Sequence, residues 1–211
     1  MFKDRAEAGK RLAQKLKEEL STQPLANAIV LSIPRGGVVI GGEISRSLGL
    51  PLDCLITKKI PSPGNEELAI GAVAEGGVVV WEEELCQRLD VSSDYKQEIV
   101  KEKVIELEKK QQDFKCGMPT PQMKDKTVII TDDGVATGST VKAAIAVVAS
   151  FDPKEIIVAV PVIAQDSLEE IKEKTDKVIY LEAPEMFFSV GQFYENFEQL
   201  SDEQVINILK K

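Results

Sequence analysis

Short apolar runs rich in β-branched residues alternate with stretches of helical periodicity along most of this chain. Each apolar run is bounded by turn-forming residues, which is typical of strands buried in a sheet. The predicted strands cover residues 28–33, 52–57, 128–131, 156–160 and 177–181. The predicted helices cover residues 4–20, 38–48, 92–114, 164–174 and 202–209, and another helix follows the loop after residue 134. The alternation predicts an α/β fold, in which a parallel central sheet has helices on both faces and right-handed crossovers.

The segment between residues 58 and 81 departs from this alternation. Residues 60–68 contain two prolines and a Gly-Asn pair, so they predict a loop. The segments 69–74 and 78–81 flank Gly76 and Gly77, which predicts a small antiparallel hairpin. We therefore expect a lid and hairpin region over about residues 58–81.

The C-terminal part of the chain is rich in aromatic side chains. Residues 184–200 include Phe187, Phe188, Phe193, Tyr194 and Phe197. Such a concentration favours either a small satellite core or a surface on which a planar ligand stacks. We refer to residues 182–211 as the C-terminal hood, and we expect the whole chain, residues 1–211, to form a single domain.

The long charged helix predicted over residues 92–114 has an apolar stripe on one side. The stripe consists of Tyr95, Ile99, Val100, Val104 and Leu107. This pattern indicates a face packed on the core. The alternative is a seam between two copies of the chain, so a homodimer stays open.

Composition narrows the possible functions. The 211 residues include no histidine, which excludes Ser-His and Cys-His catalytic pairs and zinc sites with histidine ligands. Cys54, Cys86 and Cys116 have no metal-binding spacing and are expected to be reduced thiols. A formal net charge of −9 argues against a nucleic-acid partner. The chain has neither an apolar run long enough to span a membrane nor a signal-peptide pattern, so we expect a cytoplasmic protein without a membrane partner.

The most informative segment covers residues 128–140 and has the sequence VIITDDGVATGST. An apolar strand ends in two adjacent carboxylates, Asp132 and Asp133, and a loop of small residues then leads into a helix. Backbone N–H groups at such a helix start suit a phosphate, whereas ionised carboxylates accept hydrogen bonds from hydroxyl groups or contact a hydrated metal. An ordinary strand–helix turn would not explain two neighbouring acids that repel each other. The segment therefore predicts a sugar-phosphate site at the sheet edge.

Other phosphate-binding motifs do not fit this segment. It lacks the lysine of the nucleoside-triphosphatase loop, and the chain has no G-x-G-x-x-G dinucleotide fingerprint. A phosphatase with an aspartate nucleophile needs a second acid two residues later, but Gly134 and Val135 follow Asp132 and Asp133 here.

A second candidate anion site follows the first predicted strand. Pro34, Arg35, Gly36 and Gly37 combine a strand end, a cation, two glycines and a helix start. Taken alone, this could be a tight turn with a solvent-exposed arginine. Together with residues 132–140 it matches a ribose that carries a phosphate at one end and a diphosphate at the other.

The segment at residues 128–140 resembles the phosphoribosyl-diphosphate signature of the type I phosphoribosyltransferases. The resemblance implies that Asp132 and Asp133 bind the ribose hydroxyls. It implies that the loop binds the 5-phosphate through Ala136, Thr137, Gly138, Ser139 and Thr140, and that Gly134 and Val135 also belong to the substrate site. It also implies that Arg35, Gly36 and Gly37 bind the diphosphate, with a cis peptide bond between Pro34 and Arg35.

The resemblance further implies a mobile lid over the diphosphate and an acceptor site under the hood. Lys58 or Lys59 at the root of the lid would neutralise the leaving group, unless both are ordinary surface lysines. Phe187 or Phe188 would contact the acceptor, although the aromatic cluster is interpreted chiefly as a satellite core. None of the base-reading residues of the purine and pyrimidine salvage members is recognised, so the acceptor stays open.

These observations predict a phosphoribosyltransferase that uses Mg²⁺, bound mainly through the substrate and close to Asp132 and Asp133. Its substrates would be phosphoribosyl diphosphate and a small, nitrogenous acceptor. The alternative is a non-catalytic sensor of phosphoribosyl diphosphate or of a nucleotide. Both interpretations require Arg35 and Thr137 to lie at the same edge of the sheet.

Overall fold

A computed structural model describes residues 1–21, 25, 27–74, 77–115 and 122–210. The strands are β1 (Ala28–Ser32), β2 (Leu52–Cys54), β3 (Thr57–Ser62), β4 (Asn65–Ala74), β5 (Val79–Trp81), β6 (Thr127–Thr131), β7 (Glu155–Val162) and β8 (Lys177–Glu182). The helices are α1 (Arg5–Glu19), α2 (Gly36–Leu48), α3 (Glu83–Arg88), α4 (Ser93–Lys115), α5 (Ser139–Ala149), α6 (Gln165–Lys172) and α7 (Asp202–Leu209). A short 3-10 helix, Val190–Phe193, lies in the hood.

The predicted parallel sheet is confirmed. It has five strands in the order β2-β1-β6-β7-β8, and every neighbouring pair is parallel. Successive residues of β1 point to opposite faces, because a strand has a side-chain period of two. Ile29 and Leu31 join a buried cluster with α5, whereas Ala28 and Val30 join a second cluster with α1 and α2. Helices therefore cover both faces, as predicted.

The register of β1 and β6 brings the two predicted anion sites together. Ser32, at the end of β1, is opposite Thr131, at the end of β6. The turn at residues 34–37 and the segment that begins at Asp132 therefore leave the sheet side by side at its carboxyl edge.

A second, antiparallel sheet has the strand order β3-β4-β5. The predicted hairpin is confirmed, since Gly71 pairs with Trp81 and Val73 with Val79, while Gly76 lies outside the described residues. The predicted loop over residues 60–68 is wrong, because β3 and β4 continue into this segment and turn at Pro63 and Gly64.

The sequence pattern did not indicate this strand pair because the segment contains prolines. Pro61 is tolerated because β3 is an edge strand, and the register shifts on both sides of this residue. Ile60 and Ile70 are fully buried and hold the pair in place. The predicted strand over residues 52–57 is likewise divided, since β2 ends at Cys54 and Thr57 begins the second sheet. The short helix α3 was not predicted.

Helix α4 packs on the small sheet and on α7, so the prediction that its stripe faces a core is confirmed. Ile99 and Leu107 are buried there in a cluster that includes Ile60, Val73 and Val205. Cys54 and Cys86 are buried, while Cys116 lies outside the described residues. In the part of the chain that the structure describes, every helix is too short or too polar to span a bilayer.

Candidate functional site

The two acids that follow β6 have different surroundings. Asp132 is partly buried, and one oxygen of its carboxylate accepts a hydrogen bond from the backbone N–H of Asp133 over 2.8 Å. Burial raises the pKa of Asp132, and the negative charge of Asp133 raises it further. A cation or a hydroxyl donor would relieve this unfavourable charge.

The negative charge of Asp133 is offset by Arg5, a residue that the sequence pattern did not indicate. The Nε of Arg5 lies 2.7 Å from Oδ2 of Asp133, and the two side chains are only 11% and 14% exposed. Arg5 is placed there by the start of α1, where the Asp4 carboxylate accepts the Glu7 N–H over 2.8 Å and caps the helix. The ion pair joins residues 128 positions apart, so no local spacing could have revealed it.

The loop after the acids is anchored through its backbone. The N–H of Val135 donates to the carbonyl of Val162 over 2.9 Å, and the Val135 carbonyl accepts from Ala164 over 2.8 Å. The hydroxyl of Ser167 donates to the Ala136 carbonyl over 2.6 Å. Gly138 precedes α5 with a φ of +70°, a conformation that favours glycine.

The outer side of this loop is open to solvent. Ala136, Thr137 and Thr140 are exposed, and the hydroxyl oxygens of Thr137 and Ser139 lie 3.0 Å apart. The loop therefore presents hydroxyl groups and the start of α5 at the sheet edge, in an arrangement suited to an anion.

The turn after β1 approaches the acids very closely. The peptide bond between Pro34 and Arg35 is cis, as predicted. A Cβ on Gly36 would lie 1.8 Å from Oδ2 of Asp133, and one on Gly37 would lie 2.8 Å from the Cα of Asp132. Glycine is required at both positions because the chain passes against the acid pair.

Arg35 projects from this turn toward the C-terminal helix. Its Nε lies 2.8 Å from Oδ1 of Asp202, and its Nη1 lies 3.4 Å from the carbonyl oxygen of Leu200. Both members of the ion pair are exposed, at 51% and 42%. A polyanion at this turn would therefore compete with Asp202 for the guanidinium group.

The two anion sites and the lysines border one cavity. A cavity of about 290 Å³ is lined by Pro34, Lys58, Lys59, Thr140, Ile33, Ile56, Thr57 and Ala143. The turns that carry Arg35 and Thr137 leave the sheet at the same edge, because Ser32 is opposite Thr131 in the parallel pair that precedes them.

Lys58 and Lys59 are neighbours on β3, so they face opposite sides of the small sheet. Lys58 is paired with Val73, which packs with α4, and its Nζ lies 2.7 Å from the Glu106 carboxylate of that helix. Lys59 is paired with Ala72, which packs with α5. Since α5 begins at the end of the loop that follows Asp133, Lys59 is on the side of the small sheet that faces the candidate site.

The aromatic residues of the hood form a satellite core beside the acids. Tyr194 is buried, contacts the rings of Phe2 and Phe197, and donates its hydroxyl to the Asp133 carbonyl over 2.5 Å. Burial raises the pKa of Tyr194, so its hydroxyl stays protonated and can donate. Phe187 packs on Phe193. The side chain of Phe188 is 81% exposed.

A larger cavity of about 530 Å³ opens between the small sheet, α3 and α5. Its lining includes Ser139, at the start of α5, and Trp81 of β5. Lys142 is paired with Glu170 across its wall. The sequence pattern did not predict this cavity, because its lining comes from β4, β5 and three helices that are distant in the chain.

Comparison with known proteins connects this geometry to a family. The phosphoribosyl transferase domain model matches residues 2–198. "Putative phosphoribosyl transferase MT0597" of Mycobacterium tuberculosis (strain CDC 1551 / Oshkosh) is 35% identical over 211 residues, which are 100% of this chain and 47% of that protein. The chain thus spans about half the length of the curated relatives it matches.

Solved structures share the fold. The crystal structure of TT1426 from Thermus thermophilus has a TM-score of 0.91 at 35% identity, over 99% of this chain and 97% of that chain. The AQ2163 protein from Aquifex aeolicus has a TM-score of 0.52 at 14% identity, over 85% and 74% of the two chains. The second likeness bears on the fold alone.

Proposed function

This chain belongs to the phosphoribosyl transferase domain family, and from this premise we propose that it moves the 5-phosphoribosyl group from phosphoribosyl diphosphate to a nitrogenous acceptor. The observation that supports the proposal most directly is the contact between the two turns at the sheet edge. Gly36 lies against the Asp133 carboxylate, and the phosphate loop begins directly after Asp133.

This juxtaposition matches the shape of the proposed donor. The loop at Thr137–Thr140 would bind the 5-phosphate through backbone N–H groups and hydroxyls. The turn at Arg35, Gly36 and Gly37 would bind the diphosphate, and the acids between the two turns would accept hydrogen bonds from the ribose hydroxyls. One ligand would span all three groups.

In the proposed reaction, the bond between the anomeric carbon and a diphosphate oxygen breaks, and its electron pair leaves with diphosphate. The lone pair of the acceptor nitrogen forms the new bond to the same carbon, and the acceptor then loses a proton to solvent. No protein nucleophile takes part, which accords with a chain that lacks histidine. Catalysis would come from positioning the ribose and from electrostatic stabilisation of the departing diphosphate.

Mg²⁺ belongs to this proposal as a cofactor bound chiefly by the substrate. Within the described residues, no cluster of three or more acidic or cysteine side chains is arranged to hold a metal ion. The raised pKa of Asp132 does suit a nearby cation. Asp132, and next to it Asp133, would contact the ion, which would supply positive charge to the diphosphate.

Local cations would offset the net charge of −9. Arg35 lies on the diphosphate turn, and we propose Lys59 over Lys58 as the lysine that approaches the leaving group. Lys58 lies on the face of the small sheet that packs with α4, whereas Lys59 lies on the face that meets α5. Phe187 or Phe188 would contact the acceptor.

The decisive experiment measures diphosphate release from phosphoribosyl diphosphate and Mg²⁺ over a panel of nucleobases and small amines. We expect turnover with at least one nitrogenous acceptor, and loss of turnover when the metal is chelated. Tight binding of phosphoribosyl diphosphate without turnover for any acceptor would overturn the enzyme proposal. Absence of binding would overturn the site as well.

A sensor of phosphoribosyl diphosphate is the second candidate function. The ion pair between Arg35 and Asp202 favours it, because a ligand that captures Arg35 would leave Asp202 unpaired with Arg35 at the start of the C-terminal helix. Binding without turnover, together with increased hydrogen exchange in α7, would support the sensor.

A further inference from the structure

Arg5, at the start of α1, contacts two separate parts of the candidate site. Its Nε pairs with the Asp133 carboxylate at 2.7 Å. Its Nη1 donates to the backbone carbonyl of Glu198 over 2.8 Å, and its guanidinium carbon lies 3.8 Å from the centre of the Phe197 ring. One planar cation therefore joins the start of α1, the acid pair and the hood.

The position of the Asp133 carboxylate depends on these contacts. On one side the carboxylate lies against Gly36, where even a Cβ would overlap it. On the other side it meets Arg5, and the Asp133 carbonyl accepts from the Tyr194 hydroxyl. Without the guanidinium, Asp132 and Asp133 would repel each other and lose the cation that now offsets their charge.

We infer that Arg5 is a positioning residue of the phosphoribosyl site: it fixes the Asp133 carboxylate against the diphosphate turn and fastens the hood to the acid pair. This inference rests on the proposed function for the identity of the ligand. Arginine suits the role because its planar fork serves a carboxylate and a carbonyl at once while stacking on a ring. Lysine could keep only the charge.

The test uses three substitutions on α1. R5Q removes the charge, R5K keeps it, and R11Q is the matched control. Arg11 lies on the same helix, pairs with Glu7 at 3.6 Å and lies over the Phe2 ring at 4.9 Å, but it contacts neither acid. Calorimetry measures affinity for phosphoribosyl diphosphate with Mg²⁺, and circular dichroism checks the fold.

We expect R5Q to weaken affinity about tenfold or more, because a part-buried carboxylate loses its charged partner. R5K should restore affinity to within about threefold of the wild type, since it keeps the charge that pairs with Asp133. R11Q should bind like the wild type. An R5Q affinity equal to that of the wild type, or no rescue by R5K, would overturn the inference.

A second readout needs no ligand. Chymotryptic cleavage after Phe197, followed by mass spectrometry, reports how firmly the hood is held. Both R5Q and R5K lose the bond to the Glu198 carbonyl, so cleavage should be several-fold faster than in the wild type and in R11Q. If R5Q does not fold, R5K decides: unchanged cleavage overturns the inference. Failure of the wild-type protein to bind phosphoribosyl diphosphate would instead overturn the proposed function, while the cleavage rates would still show whether Arg5 holds the hood.

Discussion

The two turns that meet at the sheet edge are built differently. The loop after β6 is anchored by backbone hydrogen bonds between Val135 and the end of β7 and by a hydroxyl of α6 that donates to its backbone, and it leaves Thr137 and Thr140 exposed. The turn after β1 instead depends on long-range side-chain contacts, since Gly36 lies against Asp133 and Arg35 pairs with Asp202. In the proposed binding mode the first turn would accept an anion without losing a protein partner, whereas Arg35 of the second turn would have to exchange Asp202 for the ligand. Pre-organisation would thus be unequal across one site, and the substitutions below test that inequality.

Removing the carboxylate between the two turns should have the largest effect. D132N should weaken binding of phosphoribosyl diphosphate about 100-fold, because the ionised acid that accepts the ribose hydroxyls is lost. D166N is the matched control, since Asp166 is an exposed acid at the start of α6 near the same edge. Calorimetry at constant Mg²⁺ measures both variants. Equal affinities for D132N and D166N would contradict the site assignment.

Lowering the pH should weaken affinity in the same way as D132N does. The pKa of Asp132 is raised by burial and by Asp133, so its carboxylate takes up a proton at a higher pH than an ordinary aspartate. Affinity should therefore decrease as the pH falls through this raised pKa, and should recover above it. The decrease should be absent in D132N. A wild-type affinity that stays constant down to the usual aspartate range would contradict this prediction.

Alanine substitutions in the turn after β1 should have different effects at Gly36 and at Gly37. G36A should weaken binding about tenfold and lower the melting temperature less than G37A does, because the overlapping atoms belong to the Asp133 side chain, which can rotate away at the cost of its pair with Arg5. G37A should lower the melting temperature more, since its Cβ would lie 2.7 Å from the Thr131 carbonyl oxygen and meet rigid backbone. Thermal unfolding and calorimetry of both variants check the contrast, which fails if G36A unfolds as easily as G37A.

Substitution of Lys58 or Lys59, which are neighbours on β3, should have a smaller effect on affinity. K59Q should reduce affinity for phosphoribosyl diphosphate about fivefold, as expected for one partly exposed cation on a phosphate. K58Q should reduce it less, because Lys58 is held by Glu106 on the other side of β3. The Lys103 and Lys58 cations lower the pKa of Glu106 to about 2, so this acid keeps its charge at the pH of the assay. A larger loss in K58Q than in K59Q would reverse the assignment.

The smallest effect should come from releasing Arg35. D202N removes its partner and should tighten binding about two- to threefold, because exposed ion pairs contribute little. E203Q makes the same charge change one residue later, at an exposed position of α7, and should leave affinity unchanged. Equal shifts in the two variants would mean that overall charge, not the Arg35 pair, is responsible.

The parts of the site that the sequence predicted correctly are those defined by local pattern. The strand before Asp132, the loop through Thr140 and the turn at Pro34 each combine a strand end with glycines in one short segment, so their position at the sheet edge follows from strand order. Residues 60–68 were misjudged because Pro61 and Gly64 indicate a loop, although burial of Ile60 outweighs that local preference.

Long-range contacts could not be predicted in the same way. Arg5 resembles an ordinary charged residue at the start of a helix, and Asp202 an ordinary first-turn acid of α7. Their roles depend on how the two ends of the chain pack near residues 34–37 and 133, which no periodicity encodes. The central sheet could therefore be predicted from local sequence, whereas the ion pairs that Arg5 and Asp202 make beside it could not.

The contact between the first and last parts of the chain has a consequence for biosynthesis. The N–H of Phe2 donates to the Phe193 carbonyl over 2.7 Å, and the Phe2 carbonyl accepts from Glu195 over 2.8 Å. A ribosome exposes residue 2 long before residues 193–195, so the hydrogen-bond partners of Phe2 are absent until residues 193–195 have been synthesised. We expect nascent chains that stop before residue 193 to form the central sheet yet to lack the contacts that complete the candidate site.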